Sequence, residues 1–128
     1  MIQRESLKVV NPFCTFVRER GWHVVNFHGN QFQAGVPDKR IMHSNYGGRW
    51  VEFKVIEDNG QVGLTDAQLK EWPKWIAHGE KIWVVCAKDL RGSLGIPLIQ
   101  KWYNKIVYGE PNAHLMLHHS TRKMGIHP

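Results

Sequence analysis

Two cysteines in 128 residues are too few for a disulfide framework. Cys14, within CTFV, and Cys86, within VVCA, stand in apolar runs. Reduced core thiols of a cytoplasmic protein fit that setting. No stretch approaches the roughly 18 consecutive apolar residues of a membrane-spanning helix, so no membrane partner is expected. The opening MIQRESLKVVNPF lacks the apolar segment and small-residue cleavage site of a secretory signal. The phosphate-cradling loop G-x4-G-K-(S/T) is missing, which argues against a nucleotide cofactor. There is no internal repeat, no low-complexity segment, and no lysine-rich amphipathic helix to lie on an anionic membrane. Acidic residues are the scarcer charge, 11 against 17 Lys and Arg, for a net charge of +6. A basic balance draws in polyanions, and nucleic acid is the leading partner class.

What is present reads as one α/β domain over residues 1–110, with a basic, His-rich tail over 111–128 that is expected to fray. Leu7, Val10, Cys14 and Val17 recur at helical spacing over residues 5–20, where Pro12 either kinks a helix or starts one. Residues 22–28, 36–43 and 49–56 read as strands, with the turn SNYGG between the last two. Thr65-Asp-Ala-Gln68 has the form of a capping box, so a helix should begin at about Asp66, with Leu69, Trp72 and Ile76 inward and Gly79 ending it. Pro73 should bend or split that helix. KIWVVCA (81–87) is apolar enough for a strand covered on both faces. Pro97 opens a last helix with Ile99, Trp102 and Ile106 inward. The order helix, three strands, helix, strand, helix defines an α/β sandwich with a mixed sheet.

The chemistry concentrates in GVPD (35–38) and WVEFKV (50–55). Alternate residues of a strand share a face, so Glu52 and Lys54 lie side by side while Val51, Phe53 and Val55 point into apolar packing. Asp38, on the preceding strand of an antiparallel hairpin, can approach Glu52 by cross-strand pairing. Two neighbouring carboxylates repel unless a cation separates them. A hard divalent ion such as Mg2+, with Mn2+ expected to substitute, suits a pair of carboxylates and keeps room for water and phosphate. An adjacent lysine can hold a phosphate oxygen and offset charge building on phosphorus. The plain alternative for Glu-x-Lys is a solvated ion pair of little consequence.

These pieces resemble the PD-(D/E)XK nuclease superfamily, and within it the VRR-NUC branch, which includes phage-type Holliday junction resolvases. The resemblance rests on Glu5, Gly35-Val-Pro-Asp38, Glu52-Phe-Lys54, Leu64-Thr-Asp-Ala-Gln68 and Gly79-Glu-Lys-Ile-Trp-Val-Val85. It spans about two-thirds of the chain. It implies a restriction-endonuclease-like sandwich, a mixed central β-sheet flanked by helices. It implies metal ligation by Asp38, Glu52 and the carbonyl of Phe53, with Glu5 as an outer ligand, and water activation by Lys54. Glu19 is a rival to Glu5, but its place beside Gly21 suits an exposed last-turn residue. Gln68 carries two readings at once, a site residue by the resemblance and a capping residue by its spacing from Thr65. Lys39, where an apolar residue is usual, and Pro73 depart from the pattern.

The activity implied is an Mg2+-dependent DNA endonuclease, selective for branched DNA such as a Holliday junction, working as a homodimer whose two sites make matched cuts. No separate specificity domain is visible, which favours recognition of DNA by shape. The rivals are a flap, nick or duplex endonuclease, and a non-catalytic DNA-binding accessory that keeps the fold. His28 and Asn30, in the loop after the first strand, and Arg40, Arg49 and Lys70 are candidate DNA contacts, although solvated side chains read the same. His114, His118 and His119 form no closed metal pattern. Core packing is the default for all six tryptophans; one of Trp72 and Trp75 is left over for self-association or for stacking on an unpaired base.

Overall fold

The computed structural model describes residues 11–27, 35–88 and 95–123. The elements run α1 (Asn11–Arg18), β1 (His23–Asn26), β2 (Lys39–His43), β3 (Gly47–Val55), α2 (Asp66–Ala77), β4 (Ile82–Ala87), α3 (Gly95–Tyr108) and α4 (Ala113–Lys123). The strands form one mixed sheet in the order β1-β2-β3-β4, antiparallel except for the parallel pair β3 and β4. Among the described residues no helix is long and apolar enough to cross a membrane.

Strand parity sorts the core into two layers. Ile41, Val51, Phe53, Trp83 and Val85 meet Phe13, Phe16 and Val17 of α1 and Ile99, Trp102 and Ile106 of α3 on one face. On the other face Ile82 and Val84 meet Trp72 of α2 and Ala113 of α4. Strand β4 is therefore apolar on both faces, as its unbroken run requires. Burying side chains such as Trp72, Ile82 and Val84 completely contributes roughly 1.5–3 kcal/mol apiece, and these three are at most 1% exposed.

The start of α2 follows its sequence closely. The Thr65 side chain accepts from the Gln68 backbone, and the Gln68 side chain accepts from the Thr65 backbone, completing the capping box. His78 caps the other end and Gly79 follows with a φ of 94°, the left-handed conformation that ends helices at low cost in glycine.

Several elements differ from the sequence expectation. Pro12 stands in the first described turn of α1, and the expectation for residues 5–10 lies outside the described residues. Helix α2 runs through Pro73 without splitting. The proline is exposed, while Trp72 beside it is fully buried and holds the helix to the sheet. Val55 is 40% exposed instead of packed, because it lies at the end of β3 beyond the reach of β2.

The largest difference lies after residue 110. In place of a fraying tail, α4 packs on the sheet through Ala113, Met116 and Leu117, an apolar stripe at spacings of three and four. Asn112, just before it, is 8% exposed and closes the outer edge of β4. Its backbone N–H donates to the Ile82 carbonyl, its side-chain oxygen accepts from Val84 N–H at 2.7 Å, and its side-chain nitrogen donates to the Val84 carbonyl at 3.0 Å.

Candidate active site

The antiparallel register pairs Lys39 with Val51, and one step further along brings Asp38 beside Glu52. Beyond this point β2 ends while β3 continues. The Asp38 N–H donates to Glu52 Oε1 at 3.0 Å, and Asp38 Oδ2 accepts from the Phe53 N–H at 3.0 Å. Each carboxylate is thus anchored by a backbone amide belonging to the other's segment. The N–H and C=O of one strand residue point to the same side, so the Phe53 carbonyl opens toward the Asp38 carboxylate. Pro37, the next residue along β2's path, has no N–H with which to claim that carbonyl.

The segment leading to Asp38 is held against α2. The Trp72 indole donates to the Gly35 carbonyl at 2.6 Å. Gly35 has a φ of 89°, and a Cβ there would come within 3.0 Å of the Ala67 carbonyl. Only glycine permits both the turn and this approach.

Glu52 is 5% exposed, and its second oxygen is equally engaged. Gln68 Nε2 donates to Glu52 Oε2 at 3.0 Å, and Lys54 Nζ lies 3.5 Å from the same oxygen. The two roles read for Gln68 are met by one side chain. Its amide oxygen caps α2 at Thr65, and this fixes its nitrogen toward Glu52.

Burial, first, and the Asp38 charge, second, push the Glu52 carboxyl up from 4.5 to about 7. Lys54 and the hydrogen bonds from Gln68 and Asp38 pull the other way without winning. A carboxylate so poorly compensated, beside a second carboxylate and a backbone carbonyl, makes a hard-oxygen donor set suited to a divalent cation. Among the described residues, no three His, Cys, Asp or Glu side chains gather as a metal site. A magnesium-type ion needs only one or two protein carboxylates and completes its shell with water and phosphate oxygens.

Asp38, Glu52, Phe53, Lys54 and Gln68 therefore come together as the sequence suggests. Glu5, His28 and Asn30 lie outside the described residues. The three cationic candidates separate. Arg40, paired with Trp50, sits on the Glu52 face with its guanidinium carbon 4.9 Å from the Trp50 ring. Arg49 falls on the opposite face. It donates to the Ile106 and Val107 carbonyls at the end of α3 and to Tyr46 and Gly48, and it covers Trp83. Lys70 is exposed on α2, two residues past Gln68, about 200° around the helix and away from the acid pair. Lys39 also points away, buried on the α1 side. The two thiols are free, and burial pushes both upward, as inert packing groups require.

Trp50, placed in the core by sequence reasoning, does pack against the Trp72, Ile82 and Val84 cluster. It is half-buried, on the same face as Glu52 and Lys54, with its ring 5.2 Å from Trp75 and its indole donating to Glu80 Oε1 at 2.8 Å. The parity of residues 50, 52 and 54 is the available signal.

No protein-family model, curated protein sequence or solved structure matches the chain.

Proposed function

We propose that the protein is a divalent-metal-dependent endodeoxyribonuclease with a PD-(D/E)XK-type site on a restriction-endonuclease-like sandwich. One observation carries the reading: the reciprocal anchoring of Asp38 and Glu52 around Phe53, where β2 stops and β3 continues. In this reading Asp38, Glu52 and the Phe53 carbonyl would hold Mg2+ or Mn2+. When bound, such an ion polarises the phosphoryl group and lowers the pKa of its water.

The remaining work falls to the chain. Lys54, beside Glu52 and 14% exposed, can reach a phosphate oxygen and offset the charge that builds on phosphorus. Gln68 fixes the Glu52 carboxylate in one orientation, so it acts as a positioning residue. Arg40 shares the Glu52 face, with its guanidinium over Trp50 and beside Gly48, and is the candidate for a phosphate farther along the strand. The net charge of +6 assists encounter with DNA. Branched DNA of the Holliday-junction kind is the substrate we put first, with a homodimer providing paired sites. The free, desolvated thiols accord with a reducing cytoplasm.

The test is incubation of junction, flap, nicked and linear DNA with Mg2+, Mn2+ or EDTA. Metal-dependent cutting, lowered at least about a hundredfold in Lys54→Ala and Asp38→Ala, is the expected result. Cleavage surviving both substitutions would falsify the site. Binding without cleavage under every divalent ion would assign an accessory role instead.

A further inference from the structure

An open cleft of about 410 Å3 lies between the start of β3 and the last turns of α2, lined by Trp50, Lys74, Trp75, His78 and Glu80. That volume falls within the range of small-ligand sites. Trp50 precedes Glu52 by two residues on one strand face, a Cα separation of about 7 Å. Trp75 follows Gln68 by two helical turns, about 10 Å along α2. The cleft therefore lies on the same sheet face as the acid pair, displaced from it by about the length of one nucleotide.

We infer that this cleft binds an unpaired nucleobase of the DNA strand whose neighbouring phosphate lies at the acid pair, with Trp75 as the stacking platform. The inference rests on the nuclease reading and specifies its substrate. The walls are two indoles, and stacking on an aromatic face accepts any base. The rim carries charges of both signs. Lys74 is 60% exposed and meets half-exposed Glu71 at 3.5 Å, a pair cheap to open for a phosphate. His78 stands beside it, and Arg40 lies over Trp50. The acidic lining residue, Glu80, already accepts from the Trp50 indole. Bases within a duplex present only their edges, so an occupant that offers a π-face must come from a flap, a single-stranded arm or a junction crossover.

Fluorescence anisotropy of a labelled forked duplex with a thymidine arm, in EDTA, tests this without catalysis. The same fork with abasic sites at its first unpaired positions is the comparison. The intact protein should bind the abasic fork about tenfold more weakly. Trp75→Leu, checked for folding by circular dichroism, should lose about tenfold on the normal fork and be blind to the abasic change; Trp75→Phe should keep most of the affinity. Wild-type indifference to the abasic sites overturns the inference. So does a folded Trp75→Leu that still feels them, and so does loss of dimerisation in Trp75→Leu with the abasic penalty intact, which would make the cleft a surface between copies. Binding and cutting fail separately. A fork held through Trp75 but never cut with Mg2+ sinks the nuclease and spares the cleft; one cut equally well with and without its unpaired bases does the reverse.

Discussion

Replacing Glu52 by Gln should abolish cleavage and, in the absence of metal, remove a loss of stability that the wild type suffers as pH rises. The folded chain holds the Glu52 proton more tightly than the unfolded chain does, about 7 against 4.5. Stability from this group is therefore fully present below pH 4.5, declines as pH rises and is gone once pH passes about 7. At about 1.4 kcal/mol per tenfold change in proton affinity, the loss between pH 5 and pH 8 is about 2–3 kcal/mol. The substituted amide carries no such titration. It must set N–H2 against a donor, either Asp38 N–H or the capping-locked Gln68 nitrogen, but that mismatch is the same at every pH. The stability difference between variant and wild type should thus grow by about 2–3 kcal/mol from pH 5 to pH 8, whatever its value at pH 5. For a domain of this size that is roughly 10 °C in Tm. Thermal and urea unfolding in EDTA at pH 5, 6.5 and 8 measures it, and taking the difference cancels the eight histidines. Adding Mg2+ at pH 8 should stabilise the wild type and leave Glu52→Gln unmoved. A difference that stays flat with pH would refute the claim that burial and Asp38 hold this carboxyl in the neutral range.

Three further outcomes follow from the same contacts. Gln68→Glu keeps the capping box but turns a carboxylate toward Glu52, so helix α2 should persist by circular dichroism while activity falls at least about tenfold and divalent-ion affinity changes. Arg40→Ala should weaken DNA binding and reduce its salt slope by about 1, whereas Arg49→Ala should leave the slope unchanged and lower Tm, since it strips donors from the end of α3. Asn112→Ala leaves a buried N–H and C=O of Val84 without partners and should cost about 2–4 kcal/mol in urea unfolding; a loss under 1 kcal/mol would mean that water replaces the amide.

The sequence is most readable where one local rule dominates. Thr65 and Gln68 declare a capping box, WVEFKV declares a two-sided strand, and KIWVVCA declares a strand buried on both faces. Parity then brings Glu52 and Lys54 to one side, and the hairpin brings Asp38 to them. Legibility fails where tertiary contacts decide. Arg40 and Arg49 look alike as cations; parity along β3 puts Arg49 opposite Glu52, but only the register places Arg40 on the Glu52 face and only the packing shows Arg49 tying down α3. Trp50 reads as core and packs against the Ile82 and Val84 cluster, and only its tertiary neighbours reveal that it also borders an open cleft. The stripe Ala113, Met116, Leu117 is overlaid by histidines and carries little apolar surface of its own. It becomes a helix because Trp72, Ile82 and Val84 offer it something to cover. Pro73 misleads because a local penalty for proline cannot register how firmly Trp72 is gripped.

Asn112 has a consequence for anyone who trims this protein to its minimal core. A stop codon placed after residue 110 would take away a side chain that imitates one residue of a fifth strand. The bare rail of β4 would then be open to the matching rail of another molecule, and the shortened chain should pellet instead of giving a smaller working unit. By the same token, while Asn112 holds its place, two copies cannot join by lengthening the sheet across Val84. Among the described residues, a pairing that lengthens the sheet would have to use the far side at β1.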